Sequence, residues 1–132
     1  MKTISAVLLS LFFGLKFCDT VEPQYSSFNY KVHVDSIQVA SQINLGDTLV
    51  VRFFGTIASD GCSSFSHFEA LIGTQGIDLT VWAKRQEAAA CPSVMVYLDG
   101  REFKWVVNSP GPLPITIHQP DGSTFQRTVL VG

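Results

Sequence analysis

Short runs of alternating apolar and polar residues, separated by turn sequences, occupy the chain from residue 28 to its end. The apolar side chains of Phe28–Val34 recur at every second position, which is the period of a half-buried strand. The dipeptide Asp99-Gly100 predicts a tight hairpin, because such a turn needs positive φ at both of its central residues. No segment has the period of a long amphipathic helix. The pattern therefore predicts an all-β domain over residues 28–132, with seven to eight short antiparallel strands in a sandwich or a barrel.

Two of the predicted strands carry more specific expectations. Residues 48–57 have apolar side chains on both faces, so we expect a central strand that is covered on both sides. Arg52, within that strand, is expected to bury its stem and to pair with Glu69 or Asp78. Alternation over Ser64–Leu71 places four side chains on one face: Phe65, His67, Glu69 and Leu71.

Four other segments are defined by turn and loop residues. The phase of alternation changes at Asp35-Ser36, which indicates a bulge or a bend. Residues 85–92 end in proline and form either one helical turn or a loop pinned by Cys91. Residues 108–114 contain three prolines and a glycine, so they are predicted to be an irregular loop. Turn residues at 120–123 separate the two strands of a terminal hairpin.

The first 18 residues have the layout of an export signal, with Lys2 ahead of the apolar run Ile4–Leu15. That run is shorter than the roughly 20 residues that a membrane-spanning helix needs. The sequence Leu15-Lys16-Phe17-Cys18 resembles a bacterial lipoprotein signal, in which the cysteine becomes the lipidated first residue. Lipidation of Cys18 and simple secretion are the two alternatives. Residues 19–27 are polar and are predicted to form a short tether.

The chain has three cysteines, and an odd number in an exported protein calls for an explanation. If Cys18 is lipidated or removed, Cys62 and Cys91 remain and can form a disulfide in an oxidising compartment. That bond would close a loop of about 30 residues and stabilise the fold by about 3–4 kcal/mol. Two buried free thiols are the alternative. No Cys-x-x-Cys is present and no histidine lies at ligand spacing from either cysteine, so we predict no zinc site.

The charge balance excludes some classes of partner. The chain has nine Lys plus Arg and eleven Asp plus Glu, a net charge of −2. Cleavage before Cys18 removes Lys2 and Lys16, which leaves seven against eleven and a net charge of −4. Nucleic acid requires concentrated Lys and Arg, so we expect no nucleic-acid partner. Contact with a membrane is expected only through the signal or a lipid anchor.

The closing run Pro114–Val131 resembles the last hairpin of bacterial immunoglobulin-like modules. The turn Leu45-Gly46-Asp47 before an apolar strand also recurs in those modules. The resemblance implies an immunoglobulin-like β-sandwich on a bacterial cell surface or in a periplasm, and it implies no reaction. The bridging cysteines of antibody domains lie further apart than Cys62 and Cys91, with a tyrosine two residues before the second where this chain has Ala89. We therefore expect the disulfide to join a strand end to a neighbouring loop.

No catalytic or cofactor-binding motif is present in the sequence, and the candidate residues are few. His67 and Glu69 lie two positions apart on one strand face, where they could converge on a metal or a substrate. A solvated strand face or a simple His–Glu pair is the alternative interpretation. Trp82 lies on the polar phase of its strand and indicates a contact surface, because tryptophan is enriched at binding hot spots.

These observations favour a non-enzymatic binding or structural module of the bacterial cell envelope, without a cofactor or a resident metal. Its partner would be another envelope protein or a carbohydrate. One alternative is a small exported hydrolase or metal-binding protein that uses His67 and Glu69. The other is an inhibitor or chaperone-like partner of another exported protein, with residues 108–114 as the contact.

Overall fold

A computed structural model describes residues 26–132, which form eleven strands and no helix. The strands are β1 Ser27–Lys31, β2 Ser36–Gln38, β3 Gln42–Ile43, β4 Thr48–Phe54, β5 Thr56–Ala58, β6 Ser63–Gly73, β7 Gly76–Gln86, β8 Val96–Tyr97, β9 Arg101–Val106, β10 Gly111–His118 and β11 Thr124–Val131. In this part of the chain no helix has the length and apolar character needed to cross a membrane. The predicted all-β class is confirmed, with eleven strands instead of seven to eight.

Some of the sequence predictions fall on residues that the structure does not describe. The export signal over residues 1–18, the lipidation of Cys18 and most of the tether at 19–27 lie outside the described residues. The first described strand, β1, begins at Ser27, the last residue of the predicted tether.

The strands form one large mixed sheet, a three-stranded sheet and a short ribbon. In the large sheet, β6 pairs with one side of β7 along its whole length, and β1 and β10 share the other side. β11 and β3 extend the sheet beyond β10. The smaller sheet has the order β2-β4-β9, and β5 pairs with β8. The pairs β7–β10 and β11–β3 are parallel, so the prediction of antiparallel strands alone is wrong. The long connection through β8 and β9 returns the chain to the large sheet, where β10 runs beside β7 in the same direction.

Alternate side chains from both sheets form one hydrophobic core. Several of them have no exposed surface: Leu49, Val51, Phe53, Leu79, Val81, Ile115, Ile117 and Val129. Burying a side chain of this size stabilises a fold by about 1.5–3 kcal/mol. The shared core therefore holds the two sheets face to face.

The predicted strand at 48–57 is central but is not covered on both sides. It forms β4, in the middle of the smaller sheet, with one buried face and one open face. Arg52 is on the open face, 54% exposed, and pairs with Glu102 at 2.9 Å. The predicted partners Glu69 and Asp78 belong to the other sheet, so that pairing is wrong. The strand is also interrupted at Gly55, where a Cβ would lie 2.7 Å from the carbonyl oxygen of His33.

The change of phase at Asp35-Ser36 marks the passage of the chain from the large sheet to the smaller one. The backbone N–H of Val32 donates to Val81 in the large sheet, over 2.9 Å. Three residues later the N–H of Asp35 donates to Phe54 in the smaller sheet, over 2.8 Å. The predicted bend is confirmed. It arises because the chain passes from one sheet to the other across the core, so the positions whose side chains face the core change phase.

Asp99-Gly100 forms a tight turn but does not close a hairpin. Both residues have positive φ, 50° and 80°, as the dipeptide predicts. The flanking strands do not pair with each other, because β8 pairs with β5 and β9 pairs with β4. The N–H groups of Leu98 and Gly100 donate to Gly55 and Phe53. The turn is therefore a kink opposite the interruption at Gly55, and the predicted hairpin is wrong.

The terminal hairpin is confirmed, and it is longer than predicted. β10 and β11 pair from Gly111 to His118, so the irregular loop predicted at 108–114 is wrong over its last four residues. Proline is tolerated here because the carbonyl of Pro114 faces Gly76 of β7, where a Cβ would lie 2.5 Å from it. The nitrogen and the carbonyl of a strand residue point to the same side, so the nitrogen of Pro114, which carries no hydrogen, points away from β11. No hydrogen bond of the hairpin is therefore lost.

Candidate functional site

A β-bulge at Ser66 decides which side chains of β6 face outward. Phe65 lies opposite Ala83 and His67 lies opposite the adjacent Trp82, so Ser66 is an inserted residue. Phe65 consequently turns inward and packs against the core. The predicted grouping of Phe65 with the polar side chains is wrong, because counting by twos assumes that no residue is inserted. Three side chains keep the predicted outward face: His67, Glu69 and Leu71.

The structure brings the three predicted contact residues together on the outer face of the large sheet. The indole Nε1 of Trp82 donates to Oε1 of Glu69 over 2.8 Å. The ring of His67 is stacked on the indole, with 6.0 Å between centroids and 6° between planes. Nζ of Lys31 lies 5.7 Å from the indole centroid. We call these four residues the Trp82 cluster.

Several polar groups of the Trp82 cluster already have hydrogen-bond partners within the domain. β6 and β1 flank β7 on opposite sides, so His67 and Lys31 approach the indole from its two sides. A planar ligand could stack on Trp82 only by displacing one of them. Oγ of Ser66 lies 2.8 Å from Nδ1 of His67, and no carboxylate in residues 26–132 orients that imidazole. A Ser–His nucleophile normally needs such a third group.

One cluster of metal-ligating side chains occurs in the described part of the chain: Asp60, Cys62 and Cys91. Both sulfur atoms belong to the Cys62–Cys91 disulfide, so no thiolate is available for a metal. The histidines are dispersed. His33 lies 3.6 Å from Asp35, and His118 lies 3.1 Å from Asp78. A metal site that uses His67 and Glu69 stays a prediction.

The disulfide is confirmed, and it joins a strand end to a loop as expected. Cys62 immediately precedes β6, Cys91 lies in the loop after β7, and their Cα atoms are 5.3 Å apart. The N–H of Gly61 donates to the carbonyl of Pro92 over 2.8 Å, which adds a second tie. Of the two alternatives for residues 85–92, the structure has the pinned loop, which begins after β7 ends at Gln86.

An ion pair that the sequence did not reveal reinforces the disulfide. Arg85 donates to both carboxylate oxygens of Asp60, over 2.9 and 3.2 Å. These hydrogen bonds from Arg85, with a further one from the N–H of Cys62, lower the pKa of Asp60. The same carboxylate raises the pKa of Arg85. We call the disulfide and this ion pair the disulfide brace. The two charged residues are 25 positions apart, and nothing in their local sequence indicates that they meet.

The opposite end of the β6–β7 hairpin exposes large apolar side chains. Leu71 is 64% exposed and Ile72 is 41% exposed. Trp105 of β9 is 39% exposed, and its side chain, with those of Ile72, Pro110 and Pro112, lines a cavity of about 220 Å³. We call these five residues the apolar end. One signal was available in the sequence: adjacent strand residues point to opposite faces, so Leu71 and Ile72 can both be buried only in a strand that is covered on both sides.

Comparison with known proteins supplies no family for this chain. No protein-family model, no curated protein and no solved structure matches it. Three features of the described residues bear on function: the Trp82 cluster, the disulfide brace and the apolar end. Of these, the apolar end is where exposed apolar side chains surround a cavity.

Proposed function

We propose that this chain is a non-enzymatic binding module of the bacterial cell envelope, with an immunoglobulin-like fold, and that it contacts another exported protein through the apolar end. The observation that carries the proposal is the cavity between Ile72 and Trp105, rimmed by two prolines. A tryptophan at a concave and partly apolar surface is typical of contact sites.

The compartment and the fold family are supported by separate observations. A disulfide is compatible with an oxidising, exported location. The apolar run at residues 4–15 has the layout of an export signal. The terminal hairpin and the single core between two sheets support the immunoglobulin-like assignment. The two parallel pairings depart from the all-antiparallel arrangement that we expected of such a module.

The segment predicted to contact a partner contributes to this surface. Pro110 and Pro112 line the cavity together with Leu113. Proline loses little conformational entropy on binding, because its φ is already fixed. The occupant that fits best is an apolar side chain on an extended segment of the partner. This surface therefore favours the alternative of an inhibitor or chaperone-like partner over a carbohydrate-binding module.

Affinity capture with matched variants tests the proposal. The full chain is immobilised and exposed to an envelope extract of its host, in parallel with Trp105→Ser and Tyr97→Ser. Tyr97 is a suitable control, because it is an aromatic residue on β8, is 55% exposed and lies outside the apolar end. We expect one protein to bind the unaltered chain and Tyr97→Ser in equimolar amount, and to be lost on Trp105→Ser. Equal binding to all three chains would contradict the proposal.

The enzyme or metal-binding alternative has its own readout. One equivalent of tightly bound metal per chain, lost in His67→Ala and kept in His33→Ala, would support it. His33 is the matched control because it is an exposed histidine two residues from a carboxylate, as His67 is. If the unaltered chain and His33→Ala both hold no metal after equilibration with zinc and dialysis, a metal role for His67 and Glu69 is contradicted.

A further inference from the structure

β6 is the longest outer strand in the described residues, and one of its sides is unpaired. Ten of its 11 residues pair with β7 along one side, Ser66 being the inserted residue, and none pairs with a strand along the other side. The other outer strands are short or charged: β1 has 5 residues, β2 has 3 and β3 has 2, and β9 carries Arg101, Glu102 and Lys104. Such features protect strand edges against pairing with other chains. β6 contains no lysine and no proline, and its one protective irregularity is the bulge at Ser66, so over residues 67–73 it is the least protected edge.

The outward side chains of β6 are complementary to those of a second β6. Two antiparallel copies can be related by a two-fold axis through Phe68. The residue at a given number of positions before Phe68 in one copy then lies opposite the residue at the same number of positions after Phe68 in the other copy. His67 of one copy then lies opposite Glu69 of the other, and the contact occurs twice. Directly opposite residues in antiparallel strands have Cβ atoms about 4.5–5.5 Å apart, which is within reach of an imidazole and a carboxylate.

Both side chains keep an atom free for this contact. In residues 26–132, Nδ1 of His67 is engaged by Ser66 and Oε1 of Glu69 by Trp82, whereas Nε2 and Oε2 have no hydrogen-bond partner. If the Ser66 hydroxyl donates to Nδ1, the ring proton of His67 is at Nε2 and can be donated to a carboxylate. The internal bonds of the Trp82 cluster therefore orient both groups outward without consuming them.

Other registers are less favourable. A two-fold axis through Glu69 would place the two Glu69 carboxylates directly opposite each other, and like charges at such positions are destabilising. An axis through Ala70 would place Glu69 opposite Leu71 of the other copy, which buries a carboxylate against an apolar side chain. The axis through Phe68 places each imidazole N–H opposite a carboxylate.

We propose that two copies of this chain pair antiparallel through their β6 edges about Phe68, so that the two large sheets become one continuous sheet. In this dimer each His67 donates to Glu69 of the partner subunit, and the free N–H and C=O groups of β6 pair across the axis. Trp105 and the prolines of the apolar end lie on other elements, whereas Leu71 and Ile72 belong to β6. The pairing is centred on residues 66–70 and does not require the cavity at Trp105, so it is distinct from the contact with another protein proposed above.

Charge exchange at the two positions tests the pairing and its register. Sedimentation equilibrium of the full chain gives the dimer dissociation constant for the unaltered chain, His67→Glu, Glu69→Lys and the double variant. His67→Glu places two carboxylates opposite each other twice, and Glu69→Lys removes twice the carboxylate that accepts from His67, so we expect both dissociation constants to rise about tenfold or more. The double variant restores opposite charges, and we expect its constant to return to within about threefold of the unaltered value.

Asp35→Lys is the matched control for Glu69→Lys. It makes the same change in net charge, and Asp35 is exposed and lies beside a histidine, His33. Its dissociation constant should be unchanged. Association through a surface that does not include His67 and Glu69 would be insensitive to the exchange, so it would not predict the rescue. A monomer at every concentration up to about 1 mM would overturn the proposal. Failure of the double variant to restore association would overturn it equally.

Hydrogen exchange provides a readout that needs no substitution. In the unaltered chain the amides of residues 66–70 should exchange more slowly as the protein concentration is raised through the dissociation constant. The amides of β9, another outer strand, serve as the internal control and should not change. Exchange at residues 66–70 that is independent of concentration would overturn the pairing, even if the charge variants fold poorly.

Discussion

At one end of the β6–β7 hairpin, where Ser63 lies opposite Arg85, the chain is tied by a disulfide, a bidentate ion pair and a backbone hydrogen bond. At the other end, where Gly73 lies opposite Gly76, exposed apolar side chains surround an open cavity. At the braced end, the carboxylate of Asp60 and the guanidinium of Arg85 already have each other as partners inside the domain. The apolar end has surface that no other element of residues 26–132 covers. Stability and contact are thus assigned to opposite ends of one hairpin.

The largest effect expected from this contrast is at the disulfide brace. Replacing both Cys62 and Cys91 by alanine should lower the free energy of unfolding by about 3–4 kcal/mol, because the bond closes a loop of 29 residues in the unfolded chain. Urea unfolding followed by tryptophan fluorescence measures the loss. Reduction of the unaltered protein by dithiothreitol should give the same loss. A decrease below about 1 kcal/mol would show that the braced end does not depend on the covalent bond.

At the turn of the β6–β7 hairpin, beside the apolar end, the close approach of β7 to β10 depends on one glycine. Gly76 has a φ of 145°, and a Cβ there would lie 2.5 Å from the carbonyl oxygen of Pro114. Gly76→Ala should therefore cost about 2–3 kcal/mol, by strain in the backbone and by separation of β7 from β10. Gly73→Ala, in the same turn, is the matched control, because a Cβ there meets nothing within 4 Å. Equal costs for the two substitutions would contradict the close approach.

The parts of the fold that could be predicted are those whose residues alternate without interruption. Phe28–Val34 and the terminal hairpin belong to this class, because each side chain there follows the period of a regular strand. The orientation of Phe65 could not be predicted, since it depends on one residue inserted at Ser66. The hairpin expected at Asp99-Gly100 failed for a different reason. The turn conformation is local, whereas the choice of strand partner depends on β4 and β5, more than 40 positions earlier.

The candidate site was predictable only in part for the same reason. His67, Glu69 and Trp82 were singled out, but their mutual contacts depend on the register between β6 and β7. Trp105 was not singled out, because its role at the cavity depends on Ile72 and Pro112, which approach it from two other strands. Sequence patterns report which face a side chain occupies. They do not report which strand lies next to it.

A smaller and pH-dependent effect separates the ion pair from the disulfide. The hydrogen bonds from Arg85 lower the pKa of Asp60 in the folded protein, so folding favours the ionised carboxyl. The resulting stabilisation is fully present above the pKa of an unfolded aspartate, about 3.9, and is lost as the pH falls through the lower pKa of the folded state. Asp60→Asn should therefore lower the melting temperature at pH 7, and the difference should disappear in more acidic solution.

Arg85→Gln removes the same pair from the other side and should show the same convergence of melting temperatures at low pH. Thermal unfolding of the three chains over the acidic range, with the disulfide intact, measures both effects. A difference for Asp60→Asn that persists unchanged in strong acid would mean that the carboxylate stabilises the fold by its shape and not by its charge.

The smallest effect on stability is expected at Leu71, and it completes the contrast between the two ends. This side chain is 64% exposed, so Leu71→Ser should change the free energy of unfolding by no more than about 0.5 kcal/mol. A side chain that contributes so little to folding, and that extends the apolar surface around Ile72, can be replaced without loss of structure. Urea unfolding measures the change, and Ala83→Ser, a fully buried position on β7, is the control that should be clearly destabilising. A loss of more than about 1.5 kcal/mol at Leu71 would mean that the apolar end is held together by its own side chains, and the division between a braced end and a contact end would no longer stand.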